Sequence, residues 1–307
     1  MKLKYLKNNE IDKQKWDKTV TLSPGAPVYA RSWYLDALCP HWDALITDDY
    51  ACIMPLPWNS KWGIRYAYLP VFIQQLGVFS ANEVDGRLIE LFLSEARARF
   101  AYMEYAMPLP ESVAGSTDWI LRKRANFVLN LTLPYGEIAA KYSKDARRSL
   151  RNSEQISVVE ENDLDFVLSN YLAKYGKMNR LTPYNRKSLK RLIAKAVEMK
   201  NAIALTVMKD DQRWASALFF RNETTAFYVI GAPTQEGEKQ NATHFLIDGF
   251  VRKFAEELSL LDFEGSDIPG VAYFYQKWGS ENRPYYHLKS AENRYKAIFQ
   301  YLKGKLR

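Results

Sequence analysis

The chain has 307 residues, of which 47% are hydrophobic, 14% aromatic and 25% charged, a globular composition with material for two full cores. No run approaches roughly eighteen uninterrupted apolar residues, and the opening MKLKYLKNNEIDKQKW has no signal-peptide core, so membrane spanning and export are disfavoured and a cytoplasmic protein is expected. A net charge of +8 favours an anionic small-molecule or nucleotide-linked partner, RNA or a membrane surface, against the plainer reading of a basic solvated exterior.

After the extended PGAPVYAR stretch, residues 32–38 (SWYLDAL) are expected to open a short helix with Ser32 as N-cap. Strands then dominate to residue 77: 51–57 (ACIMPLP), then a longer strand leading into a loop over 65–77 (RYAYLPVFIQQLG). Residues 86–100 place Leu88, Leu91, Phe92 and Ala96 on one side, the spacing of a helix packed on a sheet, and 102–105 (YMEY) returns as a strand. Period-two alternation over 127–133 (FVLNLTL) marks another strand, ending at Pro134, where the domain boundary is placed. Residues 135–153 (YGEIAAKYSKDARRSLRNS) read as one basic helix with Lys141, Lys144, Arg147, Arg148 and Arg151 on one face, either a seat for phosphates or a solvated stripe. Helices over 163–178 and 185–199 come next, separated by Pro183.

Segments 214–220, 226–231, 242–258 and 260–264 then repeat the layout of the first half: hairpin, loop, crossover helix and further strand. Two similar α+β units are therefore expected, 1–133 and 134–307, with ligand binding in a cleft between them.

Cys39 and Cys52 have neither metal-ligand spacing nor disulfide density and read as packing residues. His41, His244 and His287 lie far apart in sequence, so no metal site is expected. His244, in the first turn of its helix, reads as a cap or packing residue or as a catalyst. No G-x-S-x-G elbow, P-loop or Rossmann fingerprint occurs. Along 260–264, alternation puts Leu261 and Phe263 on one face and the carboxylates of Asp262 and Glu264 on the other.

The segment LLDFEGSDIPGVAYFYQKWGSENRPYYHL (260–288) resembles the C-terminal signature of the Fem-type transferases. The matching residues are Asp262, Phe263, Gly265, Ile268, Pro269, Gly270, Phe274, Trp278, Gly279 and Tyr285. KYSKDARRSLRNS resembles the family's Y-S-x-x-x-R-R-x-x-R segment through Tyr142, Ser143, Arg147, Arg148 and Arg151, while SWYLDAL and LPVFIQQLGVF resemble its early helix and central strand. Where the family has Lys after the Phe of F-K-x-x-F-G this chain has Tyr275, with Lys277 nearest.

The resemblance implies an α+β chain of two tandem GNAT-like domains, each a mixed, mostly antiparallel sheet flanked by helices. It implies acyl or aminoacyl transfer to an amine, as of a peptidoglycan precursor, with the donor left between acetyl-CoA and aminoacyl-tRNA. No bound cofactor, no metal and no DNA partner are expected. The residues expected to act are Glu264 as base, Tyr275 as acid and Asp262 beside them, with Arg147, Arg148, Arg151 and Lys277 binding substrate. TQEGEKQN, where a pyrophosphate loop would lie, has one glycine and two glutamates and reads as a poor phosphate cradle. The competing readings are a non-catalytic binder of an anionic ligand on the same fold, and a protein that binds RNA through its basic helices.

Overall fold

The structure, a computed structural model, describes residues 2–110, 113, 118–151 and 155–290. Its described residues divide into two compact units, one holding the chain up to Arg124 together with the segment from Tyr285, the other Ala125–Pro284.

The first unit contains β1 (Lys4–Leu6), α1 (Lys13–Leu22), α2 (Ser32–Leu38), β2 (His41–Ile46), β3 (Cys52–Lys61), β4 (Ile64–Ala67), β5 (Phe79–Ser80), α3 (Gly86–Arg99), β6 (Tyr102–Met107) and β7 (Trp119–Arg124). The second contains β8 (Phe127–Asn130), α4 (Tyr135–Ala140), α5 (Lys144–Ser149), β9 (Ile156–Glu160), α6 (Leu164–Tyr175), α7 (Pro183–Glu198), β10 (Ala202–Lys209), β11 (Gln212–Arg221) and β12 (Thr225–Pro233). It continues with α8 (Gln235–Lys239), α9 (Ala242–Phe254), β13 (Leu260–Asp262), α10 (Pro269–Gln276) and β14 (Glu281–Asn282), before β15 (Tyr285–Ser290) returns to the first unit.

Among the described residues the strands form two sheets, ordered β1-β2-β3-β4-β6-β15-β7, with β5 on β3, and β14-β8-β13-β12-β11-β10-β9. Both contain the same step. An antiparallel hairpin (β3–β4, β11–β12) leads through a helix (α3, α9) to a strand parallel to its second arm (β6, β13). In each sheet that parallel strand next pairs antiparallel with one from outside the repeat, β15 on β6 and β8 on β13. The division therefore falls before β8, whereas the alternation ending at Pro134 had assigned that strand to the first unit. Ladder partners on both sides, β13 and β14, hold β8 in the second sheet.

The core of the second unit forms because α9 carries Phe245, Leu246, Ile247, Phe250, Val251 and Phe254 at helical spacing, all buried. Phe250 stacks on Phe219 of β11 at 4.2 Å.

Several local expectations change. The basic segment is two six-residue helices, because Ser143 caps α5 by accepting from Ala146 N (3.1 Å) and gives its own N–H to Lys277 O (2.8 Å). Tyr142, at the break, is buried edge-on against Trp278 at 4.9 Å. Ser32 does not cap α2; its hydroxyl donates to Asp17 (2.5 Å). Pro183 is the first residue of α7, behind a Thr182 capping box. The long strand expected over 65–77 stops at Ala67, and Phe72 takes φ 74. Cys39 and Cys52 are buried free thiols.

TQEGEKQN is not a loop at all, since Thr234 caps α8 and accepts from Gly237 N (3.2 Å). A Cβ on Gly237 would lie 1.8 Å from the Trp214 carbonyl oxygen, so this glycine serves close packing of α8 on β11. Gly237→Ala should therefore destabilise the fold by about 1–3 kcal/mol in denaturant unfolding, and unchanged stability would contradict the packing.

Candidate functional site

The geometry of the site depends on where β12 and β13 stop pairing. Their parallel ladder covers Thr225–Leu260, Ala226–Leu261 and Phe227–Asp262 only. Beyond it β12 stays on β11 as far as Pro233, while the other strand ends and the chain turns away through left-handed Glu264 (φ 64) and Gly265 (φ 58). A pocket of about 510 Å³ opens in the gap. Residues Tyr228–Gly231 form one wall and Phe263–Ser266 another; Tyr171 and Tyr175 of α6, Thr243 and His244 of α9, and Phe274 and Tyr275 of α10 close it.

A register shift between Leu218 and Phe219 leaves Val229 without a ladder partner, so β12 bulges where it borders the pocket. Gly231 is required beside it. A Cβ there would lie 2.1 Å from the Tyr228 hydroxyl oxygen and 2.6 Å from its ring, so only glycine lets that phenol lie across the strand.

The expected strand face over 260–264 breaks at Glu264. Asp262 is buried on β13, accepting from Glu264 N (2.8 Å) and Asn126 Nδ2 (3.2 Å), and does not itself line the pocket. The first bond closes a turn of the aspartate-to-backbone type and holds Glu264 in a conformation that costs a non-glycine residue about 1–2 kcal/mol. Glu264, half-buried, lines the pocket as a result.

Tyr275 is buried and stacked on Phe263 (4.7 Å between centroids, 17° between planes). Burial first, and then the Glu264 carboxylate, push its phenol well above the usual value, so it keeps its proton throughout the neutral range. Burial likewise raises Tyr228, with Tyr275, Tyr175 and Tyr171 as further causes. His244 is held toward its neutral form by burial and then by the Lys277 charge; its Nδ1 lies 3.3 Å from Asn241 O and its Nε2 is buried with no partner among the described residues.

Of the residues expected to act, Glu264 and Tyr275 meet at the pocket, and Asp262 stands behind Glu264. Arg147, Arg148, Arg151 and Lys277 do not line it. Arg147 is exposed and donates to Ala140 O (3.3 Å), Arg148 lies 3.6 Å from Asp145, Arg151 is exposed, and Lys277 lies over the Tyr273 ring (4.8 Å). Sequence reasoning missed Tyr171, Tyr175, Tyr228 and Asn126. The first two sit one helical turn apart on α6, a signal available in principle, but nothing in the sequence pairs α6 with β12.

Burial raises the Asp262 carboxyl from 3.8 to about 6, against the opposing bonds from Glu264 and Asn126. An acid whose folded pKa is raised keeps its proton longer folded than unfolded, so stability falls as pH climbs through this window. Asp262→Asn, which still accepts from Glu264 N, should abolish this slope. Between about pH 4 and about pH 6.5 the unfolding free energy of the wild type should fall by about 2 kcal/mol relative to that of the variant. Parallel curves would show that Asp262 is not a buried acid.

No protein-family model matches the sequence, and no curated protein matches it. Solved structures do resemble it. FemX shares 11% identity with a TM-score of 0.68, covering 97% of this chain and 100% of its own. The tandem GNAT protein from the clavulanic acid biosynthesis pathway shares 12%, with a TM-score of 0.56 and coverage of 95% and 99%. L-PGS from Bacillus licheniformis shares 11%, with a TM-score of 0.51 and coverage of 86% and 88%. At such identities the likeness is one of fold, and the chain is an α+β protein of two GNAT-like domains, each a mixed sheet flanked by helices.

Proposed function

We propose that this protein is an N-acyltransferase that moves an acyl or aminoacyl group onto an amine in the pocket of the second unit. One observation carries the reading: the parting of β12 and β13 brings a carboxylate, Glu264, and a protonated buried phenol, Tyr275, to the same pocket. The fold shared with FemX and the tandem GNAT protein agrees with it.

Aminolysis needs a base for the amine proton and an acid for the leaving group. In the proposed step the neutral amine nitrogen attacks the acyl carbon and a C–N bond forms. The proton lost by nitrogen goes to Glu264. The bond from carbon to the leaving sulfur or oxygen breaks, and that atom takes the Tyr275 proton; the Glu264 proton then returns to the phenolate through water. Asp262 acts through the turn, as a positioning residue. A peptidoglycan precursor as acceptor extends this reading and rests on the Fem-type resemblance; a cytoplasmic setting is part of the same proposal.

The test is label transfer to amine acceptors from acetyl-CoA and from a pool of charged tRNA. Glu264→Gln should lower turnover by about 10²–10⁴-fold with the fold intact, and Tyr275→Phe, which retains the stack on Phe263, should lower it through the missing proton alone. Full activity in both variants would remove the assignment.

A further inference from the structure

The chain's overall charge of +8 points to anions, but the pocket has the opposite character. Among the described residues its charged lining side chains are Glu238 and Glu264, and no lysine or arginine lines it. Glu238 sits exposed at the rim, bridged to Lys174; Glu264 is set deeper. His244, the remaining basic group of the lining, is held toward neutrality. The lining is otherwise rich in rings: Tyr171, Tyr175, Tyr228, Phe263, Phe274 and Tyr275. Aromatic faces carry negative potential and attract ammonium groups, most strongly where water is excluded.

We infer that this pocket receives a primary ammonium group on a short aliphatic body, and not the phosphates of a nucleotide-containing donor. The inference rests on the reading of this pocket as the acyl-transfer site and names what it accepts. Among the described residues, the start of α9, with Thr243 and His244 in the lining, and Lys174, bridged to Glu238 at the rim, are the features that favour an anion. A helix end offers roughly half a unit charge, its effect fades within a turn, and here Glu236 and Glu238 precede it on α8. Two further facts argue against a diphosphate. The segment that would cradle it is a helix, and its glycine is spent against the Trp214 carbonyl. Neighbouring apolar walls at Met178, Ile230 and Val271 suit a carbon chain.

An ammonium has two sources in such a reaction: the α-amino group of an aminoacyl ester, and the acceptor amine, which would bind as its ammonium and release one proton to water before its neutral nitrogen attacks. Methyl NMR titration of Met178, Ile230 and Val271 separates them. The probes are alanine methyl ester against methyl isobutyrate, n-pentylamine against 1-pentanol, and inorganic pyrophosphate. At least one amine should shift these methyls and bind at least about tenfold more tightly than its uncharged counterpart, a preference that Glu264→Gln should erase while the methyl spectrum stays dispersed. Preference for the ester marks the donor as the source, and preference for pentylamine marks the acceptor.

Shifts with pyrophosphate alone, equal binding of charged and uncharged probes, absence of amine binding, or an unchanged preference in Glu264→Gln would each overturn the inference. Amine binding without detectable acyl transfer from either donor would instead count against the proposed reaction and leave the ammonium site standing. Transfer accompanied by pyrophosphate occupancy of the pocket would sink the ammonium site alone.

Discussion

Three residue pairs of parallel ladder, Thr225–Leu260 to Phe227–Asp262, are the constraint on which the rest of the second unit depends. A longer ladder would satisfy the backbone of both strands and leave no pocket. A shorter one would lose the register that buries Leu261 and Asp262. β12 can continue alone because β11 supplies its other edge as far as Pro233. β13 has no such need, since Asp262 itself accepts the N–H of Glu264 and turns the chain.

The first unit makes the same topological step and ends differently. β4 and β6 pair in parallel at Tyr66–Tyr102 and Ala67–Met103, after which the chain fills its own gap: Leu76 N donates to Ala106 O (2.9 Å), and Ile73 and Leu76 are buried. Tyr34 of α2 fixes the same stretch by donating to Phe72 O (2.6 Å). At the place where the second unit has its pocket, the described residues of the first unit pack Ile73 and Leu76 instead. The difference is local, set by the segment that leaves the hairpin's second strand.

Much of this was legible in the sequence. The periodicity of α9 and the repeated order of elements gave the fold class, and the D-F-E-G run located Asp262 and Glu264, because those signals are short-range; on α3 the expected face was partly wrong, since Leu91 is exposed while Ile89 and Leu93 are buried. The features that the sequence hid were long-range or broke a local period. The left-handed Glu264 ends an alternation that a strand reading would continue, and Ser143 interrupts a charge stripe that otherwise scans as one helix. The aromatic wall is assembled from α6, β12 and α10, distant in sequence, so no window of residues announces it. The net charge does not describe the pocket, because it counts the whole surface, while the charged lining side chains among the described residues are Glu238 and Glu264.

The account is tested most directly by filling the gap between the strands. Val271 lines the pocket from α10, half-buried at the edge of the core, so Val271→Trp places an indole in the cavity. Label transfer from acetyl-CoA or charged tRNA to an amine, whichever supports turnover in the wild type, should be abolished in this variant at unchanged unfolding free energy. Wild-type turnover with the cavity filled would place the chemistry elsewhere on the molecule.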